Sequence, residues 1–352
     1  MTFTHSDAAA GPPPVLEAFL EDSRQRAAKI CPSFEGLWAE ITRLSSGGKR
    51  LRPTLVAMAA RPYGADVPPV AVETVGAAFE LLHSALIIHD DVIDRDTRRR
   101  HEPTLHGAAQ QRVTARGVGA DRAEHYGYSV GIIAGDLALM GAQRLVRSAR
   151  LQSMVSERVM ELLDQAVFAS AAGELMDIDH ALPDFLPSSD AVVQATWLKT
   201  SVYSFEAPLQ AGALVAGAPE DHIQALGDIG MHLGLAFQLA DDLLGVFGND
   251  EYTGKSIDND LREGKHTLLI AEAMARDDNH RVRSLMAQPC LSQEDTQILR
   301  SFLTESGARQ AVETRAREAA AHARKIAEDA QLPAPLIQDV HAVARDAVER
   351  MR

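Results

Sequence analysis

Two aspartate clusters carry the clearest chemistry in this chain: Asp90-Asp91 with Asp94, and Asp241-Asp242. Asp90 and Asp94 stand one helical turn apart. Val75, Phe79, Leu82 and Leu86 precede them at three- and four-residue spacing. On a helix these positions share one face, so the two carboxylates end an apolar stripe. Carboxylates one turn apart make a grip for a hard divalent cation, and Mg²⁺ favours oxygen ligands together with substrate phosphates. A solvated helix end offers the same residues, because like charges at i, i+4 cost little. Alone, the motif leaves both readings open. The second cluster, Phe237-Gln238-Leu-Ala-Asp241-Asp242-Leu-Leu-Gly245, follows another apolar-faced helix over residues 229–240. Two helices that each end in Asp-Asp predict two metal grips facing each other across a cavity.

Cations lie in short groups near these acids. Ser45-Ser-Gly-Gly-Lys49-Arg50-Leu-Arg52-Pro53 sets two glycines before three cations, which makes a compact anion site. It lacks the glycine spacing of a nucleotide P-loop and the Ser/Thr after the lysine. A plain basic loop before a helix is the commoner fate of such a stretch; the acidic motif that follows tips the reading towards phosphate. His83 lies seven residues before Asp90, two turns down the same face, where a core histidine and a substrate contact are both open readings. Arg98-Arg99-Arg100 follow Asp94 closely, and arginine forks bind phosphate in bidentate fashion; a surface salt-bridge network is the alternative. Glu174 and Asp177 place two more acids late in a helix, and Lys199-Thr200 lies on the next one. By itself Lys199 reads as a surface residue. Gly254-Lys255-Ser and Asp260-Leu-Arg-Glu-Gly-Lys265 supply a charged, glycine-containing loop.

The elements that must position these groups are helices. Ala, Leu, Glu and Arg dominate the 352 residues, aromatics are 5%, and strand-forming clusters are rare, so the chain predicts an all-α fold. Residues 1–14 read as a flexible tail ending in Pro12-Pro-Pro14, with one domain over residues 15–352. Helices are expected over 16–29, up to Leu44, over 54–61 and 70–94, from Tyr126 to about Asp179, around Trp197, over 229–240, and through the Ala/Arg/Glu-rich remainder. Residues 105–125 read as a loop or short helix. The net charge of −14 argues against nucleic acid as a partner. Two cysteines, Cys31 and Cys290, are too few for a disulfide framework and suggest a reducing compartment. No apolar run approaches a membrane span and no signal peptide opens the chain, so a soluble cytoplasmic protein is expected. No Ser/His/Asp constellation, Cys/His metal spacing or dinucleotide fingerprint is present.

Taken together, Gly47-Gly-Lys-Arg-Leu-Arg-Pro53, Asp90-Asp-Val-Ile-Asp94 with Arg99-Arg100, Lys199-Thr200, Phe237-Gln238 to Asp242 and Gly254-Lys255 resemble the trans-prenyl diphosphate synthases over roughly residues 15–350. The resemblance implies an all-helical isoprenoid-synthase bundle around a deep central cavity, assembled as a homodimer. It implies head-to-tail (1'-4) condensation of isopentenyl diphosphate with an allylic diphosphate. It assigns Asp90 and Asp94 to two Mg²⁺ ions and Asp241 to a third. Arg99, Lys199, Thr200, Gln238, Lys255 and Lys265 would hold the allylic diphosphate; Lys49, Arg52, His83 and Arg100 would hold isopentenyl diphosphate. The departing diphosphate would take the proton, in keeping with a chain that offers no evident side-chain base. Three positions depart from the family pattern: Gly245 replaces the final Asp of the second motif, His101 replaces a Gly, and Glu174 stands where Gln is frequent.

Helix geometry gives a ruler for the product. At about 1.5 Å per residue, Leu86 lies about 6 Å below Asp90, Leu82 about 12 Å and Phe79 about 16 Å. Farnesyl synthases of the family often carry an aromatic at the fourth or fifth residue before the first Asp, where this chain has Leu86 and Ala85. Phe79 is the first ring on the stripe, which points to a C20 product, geranylgeranyl diphosphate, with C15 and C25 or longer left open. A class I terpene cyclase and a non-catalytic partner subunit are the competing classes. Gly245 and Asn249 break the cyclase's second motif, and a partner subunit would lack the Asp-rich motifs retained here.

Overall fold

The computed structural model describes residues 13–64, 67–99, 102–182, 187–248, 261, 265–277, 280–286, 288 and 291–351. These form two compact units. The N-terminal unit gathers residues 13–163 with Pro208–Ala218, and the C-terminal unit gathers Asp164–Ala207 with residues 219–351. Beyond a two-residue antiparallel ribbon, Arg98–Arg99 against Glu102–Pro103, the regular elements described are helical, as composition predicts.

In the N-terminal unit, α1 (Pro14–Ala28) and α2 (Pro32–Ser45) each start on proline, whose missing N–H costs nothing in a first turn. α3 (Leu51–Ala60) and α6 (Ala120–Ser148) pack on α4 (Pro69–Ile93), whose Val75, Phe79, Leu81, Leu82, Ala85 and Ile88 are buried. α5 (Leu105–Thr114) is capped by Thr104, which accepts from the Gly107 amide at 3.2 Å. Packing of α6 on α4 depends on two missing side chains. A Cβ at Gly131 would lie 2.4 Å from Val92 Cγ2, and one at Gly135 would lie 2.1 Å from His89 Nε2. The helices therefore approach closely around the turn that carries the first aspartates. The next helix, α7 (Ser153–His180), begins in this unit and ends in the other.

The C-terminal unit holds α8 (Ser189–Thr196), a π-helical stretch Trp197–Glu206, α10 (Glu220–Phe247), α11 (Leu268–Met274), α12 (Arg281–Met286), α13 (Gln293–Glu305), α14 (Ala308–Asp329) and α15 (Ala334–Glu349). Between them α9 (Ala207–Val215) returns the chain to the N-terminal unit. Leu239, Leu243, Val246, Leu268, Leu299, Leu303 and Val312 form the core of the C-terminal unit. A capping box of Ser292 and Asp295 starts α13.

Several expectations are corrected. Of the two readings of 105–125, the short helix holds as α5, and the helix expected from Tyr126 begins earlier, at Ala120. The segment to Asp179 is two helices, separated where Arg150 adopts φ 54°. The second aspartate pair is not at a helix end: α10 runs on to Phe247, because Leu243 and Val246 continue the buried face past Asp242. Finally, Pro69–Ile93 and Ala120–Ser148 are each long and apolar enough to cross a membrane, contrary to the reading of the chain. In α4 that apolarity is mostly spent on packing inside its own unit, whereas α6 leaves more of it outside.

Candidate active site

At the end of α4, Asp90 and Asp94 are partly exposed and Asp91 is buried. The ribbon after the helix turns Arg99 back onto them. Its Nε donates to Asp91 Oδ1 at 2.7 Å and its Nη2 to Asp90 Oδ2 at 2.8 Å. Burial pushes the Asp91 carboxyl up to about 6, against the pull of Arg99, and Asp91 Oδ2 has no hydrogen-bond partner. Burial opposes charge on Arg99 as well, but Asp91 and Asp90 outweigh it and raise its pKa further. The guanidinium is thus held charged against the carboxylates, as a cation should be at such a site. Lower on α4, Leu86 is partly open, whereas Ala85, Leu82 and Phe79 are closed off from solvent.

The basic turn precedes α3. Lys49 is exposed and Arg52 partly buried. Gly48 supplies φ 99°, which glycine adopts without penalty, and Arg50 takes φ 54°. A Cβ at Gly76 of α4 would lie 3.0 Å from Pro53 Cα, so the start of α3 lies close on α4. His83, on the same helix, is partly buried.

In the C-terminal unit Lys199 and Thr200 lie in the π-helical stretch rather than in an α-helix. Such wide turns occur often at functional sites. Three glycines hold it: Cβ atoms at Gly173, Gly234 and Gly230 would lie 2.2 Å from Lys199 N, 2.4 Å from Ser201 Cβ and 2.5 Å from Glu206 Cα. Lys199 Nζ is bracketed by Asp177 Oδ2 at 2.7 Å and Glu174 Oε2 at 3.0 Å, so it is no stray surface lysine. On α10, Gln238 Nε2 donates to Asp242 Oδ1 at 2.8 Å. Asp241 faces Arg350, whose Nη1 is 3.4 Å from Asp241 Oδ1 and whose guanidinium stacks 4.2 Å from the Phe237 ring centroid. Lys265 is partly buried just before α11. Arg100, His101 and Lys255 lie outside the described residues.

Sequence reasoning missed Arg350 and counted Arg50 among three cations of an anion site, whereas Arg50 is buried in an ion pair with Glu80. Glu80 had a signal: one carboxylate inside an apolar run needs a partner. Arg350 had none.

Among the described residues, no three His, Cys, Asp or Glu side chains converge to hold a metal by themselves. Asp90 and Asp94 at the end of α4 are by themselves a sparse oxygen set. That suits an ion completed by phosphate oxygens and water, as Mg²⁺ usually is.

The polyprenyl synthetase family profile matches residues 39–302. The chain is similar to a geranylfarnesyl diphosphate synthase of Aeropyrum pernix, at 32% identity over 82% of this chain and 85% of that one. It is also 32% identical to the octaprenyl diphosphate synthase of Escherichia coli, over 66% of this chain and 64% of that one. In structure it resembles a geranylgeranyl pyrophosphate synthase from Corynebacterium glutamicum, complexed with isoprenyl diphosphate and magnesium. The TM-score there is 0.87 at 30% identity, covering 96% of each chain.

Proposed function

The chain belongs to the polyprenyl synthetase family, a prenyltransferase of the all-α isoprenoid-synthase fold that condenses prenyl diphosphates in trans, and on that premise we propose that its main product is geranylgeranyl diphosphate. The observation that carries the chain length is Phe79, a fully buried ring that is the first aromatic below Asp90 on the α4 stripe, with Ala85 and Leu86 above it.

Asp90 and Asp94 are the residues that would hold two Mg²⁺ ions, and Asp241 a third; when bound, the metal neutralises charge on the leaving diphosphate. Arg99, Lys199, Thr200, Gln238, Lys255 and Lys265 bind and orient the allylic diphosphate, whose C1–O bond breaks with its electron pair leaving on the diphosphate. Lys49, Arg52, His83 and Arg100 hold isopentenyl diphosphate so that its double bond attacks the allylic C1. A C2 proton then passes to the departed diphosphate, which closes the new double bond. Fixed cations aimed at developing phosphate charge are the main contribution of these side chains. Removal of Asp90 and of Asp241 should each abolish metal-dependent turnover if both clusters serve one diphosphate.

We also propose that two copies associate through α6, which exposes Ile132, Ile133 and Met140. Apolar side chains in such numbers on adjoining turns mark an association surface.

The test is incubation of purified protein with labelled isopentenyl diphosphate, Mg²⁺ and each of dimethylallyl, geranyl and farnesyl diphosphate, followed by sizing of the dephosphorylated alcohols. A C20 alcohol is expected. A C15 alcohol, or C25 and above, overturns the chain length. Hydrocarbon released without elongation overturns the condensation.

A further inference from the structure

Arg50 and Glu80 form a buried ion pair in the N-terminal unit that none of the substrate roles above requires. Arg50 is 9% exposed and Glu80 4%. Arg50 Nη1 donates to Glu80 Oε1 at 3.2 Å and to the Ser45 carbonyl at 2.7 Å, which satisfies an open carbonyl at the end of α2. Ser45 Oγ donates to Ser84 Oγ at 2.9 Å, and Ser84 Oγ donates to the Glu80 carbonyl at 3.2 Å. One buried polar network therefore ties the end of α2, the basic turn and the middle of α4.

As a stabilising device this pair is poor. Burying two charges costs several kcal/mol each before any attraction is counted. Nε and Nη2 of Arg50 and Oε2 of Glu80 have no hydrogen-bond partner, so much of that cost is not recovered. Arg50 also takes a left-handed backbone, φ 54°, which an L side chain adopts at a penalty. What the pair does secure is geometry. Lys49 directly precedes the pinned residue and Arg52 follows it by two, opening α3. Glu80 sits one turn before His83 on α4. Fixing Arg50 to Glu80 thus fixes the two cations of the turn to the helix that presents the histidine.

We propose that Arg50 and Glu80 are positioning residues for the isopentenyl diphosphate subsite: they touch no substrate but set the turn so that Lys49 and Arg52 meet its diphosphate together with His83. This rests on the condensation proposed above. The experiment first establishes elongation by the wild type, so failure of that reading shows before any variant is made. It then measures Tm, kcat and the KM of each substrate for Glu80→Gln and for the double variant Arg50→Met/Glu80→Leu. Replacing a buried ion pair with apolar side chains of similar volume is often neutral for stability, so the double variant should melt within a few degrees of the wild type. Its KM for isopentenyl diphosphate should rise about tenfold, as for one lost phosphate contact, while the allylic KM stays within about twofold. Glu80→Gln keeps an acceptor for Nη1 and should raise the isopentenyl KM about threefold. A folded double variant with an unchanged isopentenyl KM, or with both KM values rising together, overturns the proposal. If the double variant does not fold, Glu80→Gln decides alone, and an unshifted isopentenyl KM overturns it.

Discussion

Arg99 Nη2 donates to Asp90 Oδ2 at 2.8 Å, so an arginine assigned to the allylic diphosphate lies directly on an aspartate assigned to metal. The two roles are compatible if metal and diphosphate arrive as one complex, with Arg99 turning from carboxylate to phosphate. Asp90→Asn removes the charge and keeps the shape. Turnover with Mg²⁺ should fall by about a hundred- to a thousandfold, the range seen when a group central to charge stabilisation is removed. Tm should move by no more than a few degrees. Activity within tenfold of the wild type would remove Asp90 from the metal site.

Gly173 of α7 leaves no room for a side chain, because a Cβ there would lie 2.2 Å from the Lys199 amide nitrogen. Gly173→Ala must push the π-helical stretch or bend α7, at a cost of about 1–3 kcal/mol. Lys199 moves with that stretch, so kcat/KM should fall along with Tm. A variant of wild-type stability and activity would show that the close approach is not needed.

Glu206 ends the same stretch. Its carboxyl pKa is raised, chiefly by burial, with the Trp197 Nε1–H bond at 3.2 Å acting against the shift and the Asp228 charge adding to it. A carboxyl whose folded pKa exceeds its unfolded value penalises the fold when ionised. Stability is therefore lost as pH rises from the unfolded value through the folded one. Glu206→Gln should stabilise by about 1 kcal/mol near neutral pH, a Tm gain of about 1–2 °C, and the gain should vanish near about pH 4. A gain that grows on acidification would reverse the assignment.

Phe79 has no exposed surface and lies on the α4 stripe below Asp90. Phe79→Ala should cost about 3–5 kcal/mol, and Phe79→Leu keeps more of the volume for a smaller loss. Either opens space below Leu82, so the product distribution read by chromatography should move to longer chains. An unchanged distribution in a folded variant would place the floor on another element.

On α6, Ile132 and Ile133 are about half exposed, at 50% and 52%. Ile133→Asp should leave the helix intact and turn a dimer into a monomer by light scattering. Dimeric protein with the variant would exclude this face from the association.

The chain by itself determined that the elements are helices and which turns carry acids and cations. Those features are local: periodicity over a few turns fixes a helix face, and Asp90 and Asp94 share a face whatever packs against them. The Phe79–Leu82–Leu86 stripe and the start of α4 were legible for the same reason. Tertiary structure alone decided how the charges pair. Lys199 read as a surface residue until α7 placed Glu174 and Asp177 on either side of it, 22 residues or more away in sequence. Arg350 reached Asp241 across 109 residues, a separation no pattern window spans. The π-helical turns of 197–206 depend on Gly173, Gly230 and Gly234, which come from two other helices. Helical hydrogen bonds join residues four apart in the chain, whereas the partners of a charge are set by whatever the fold brings beside it.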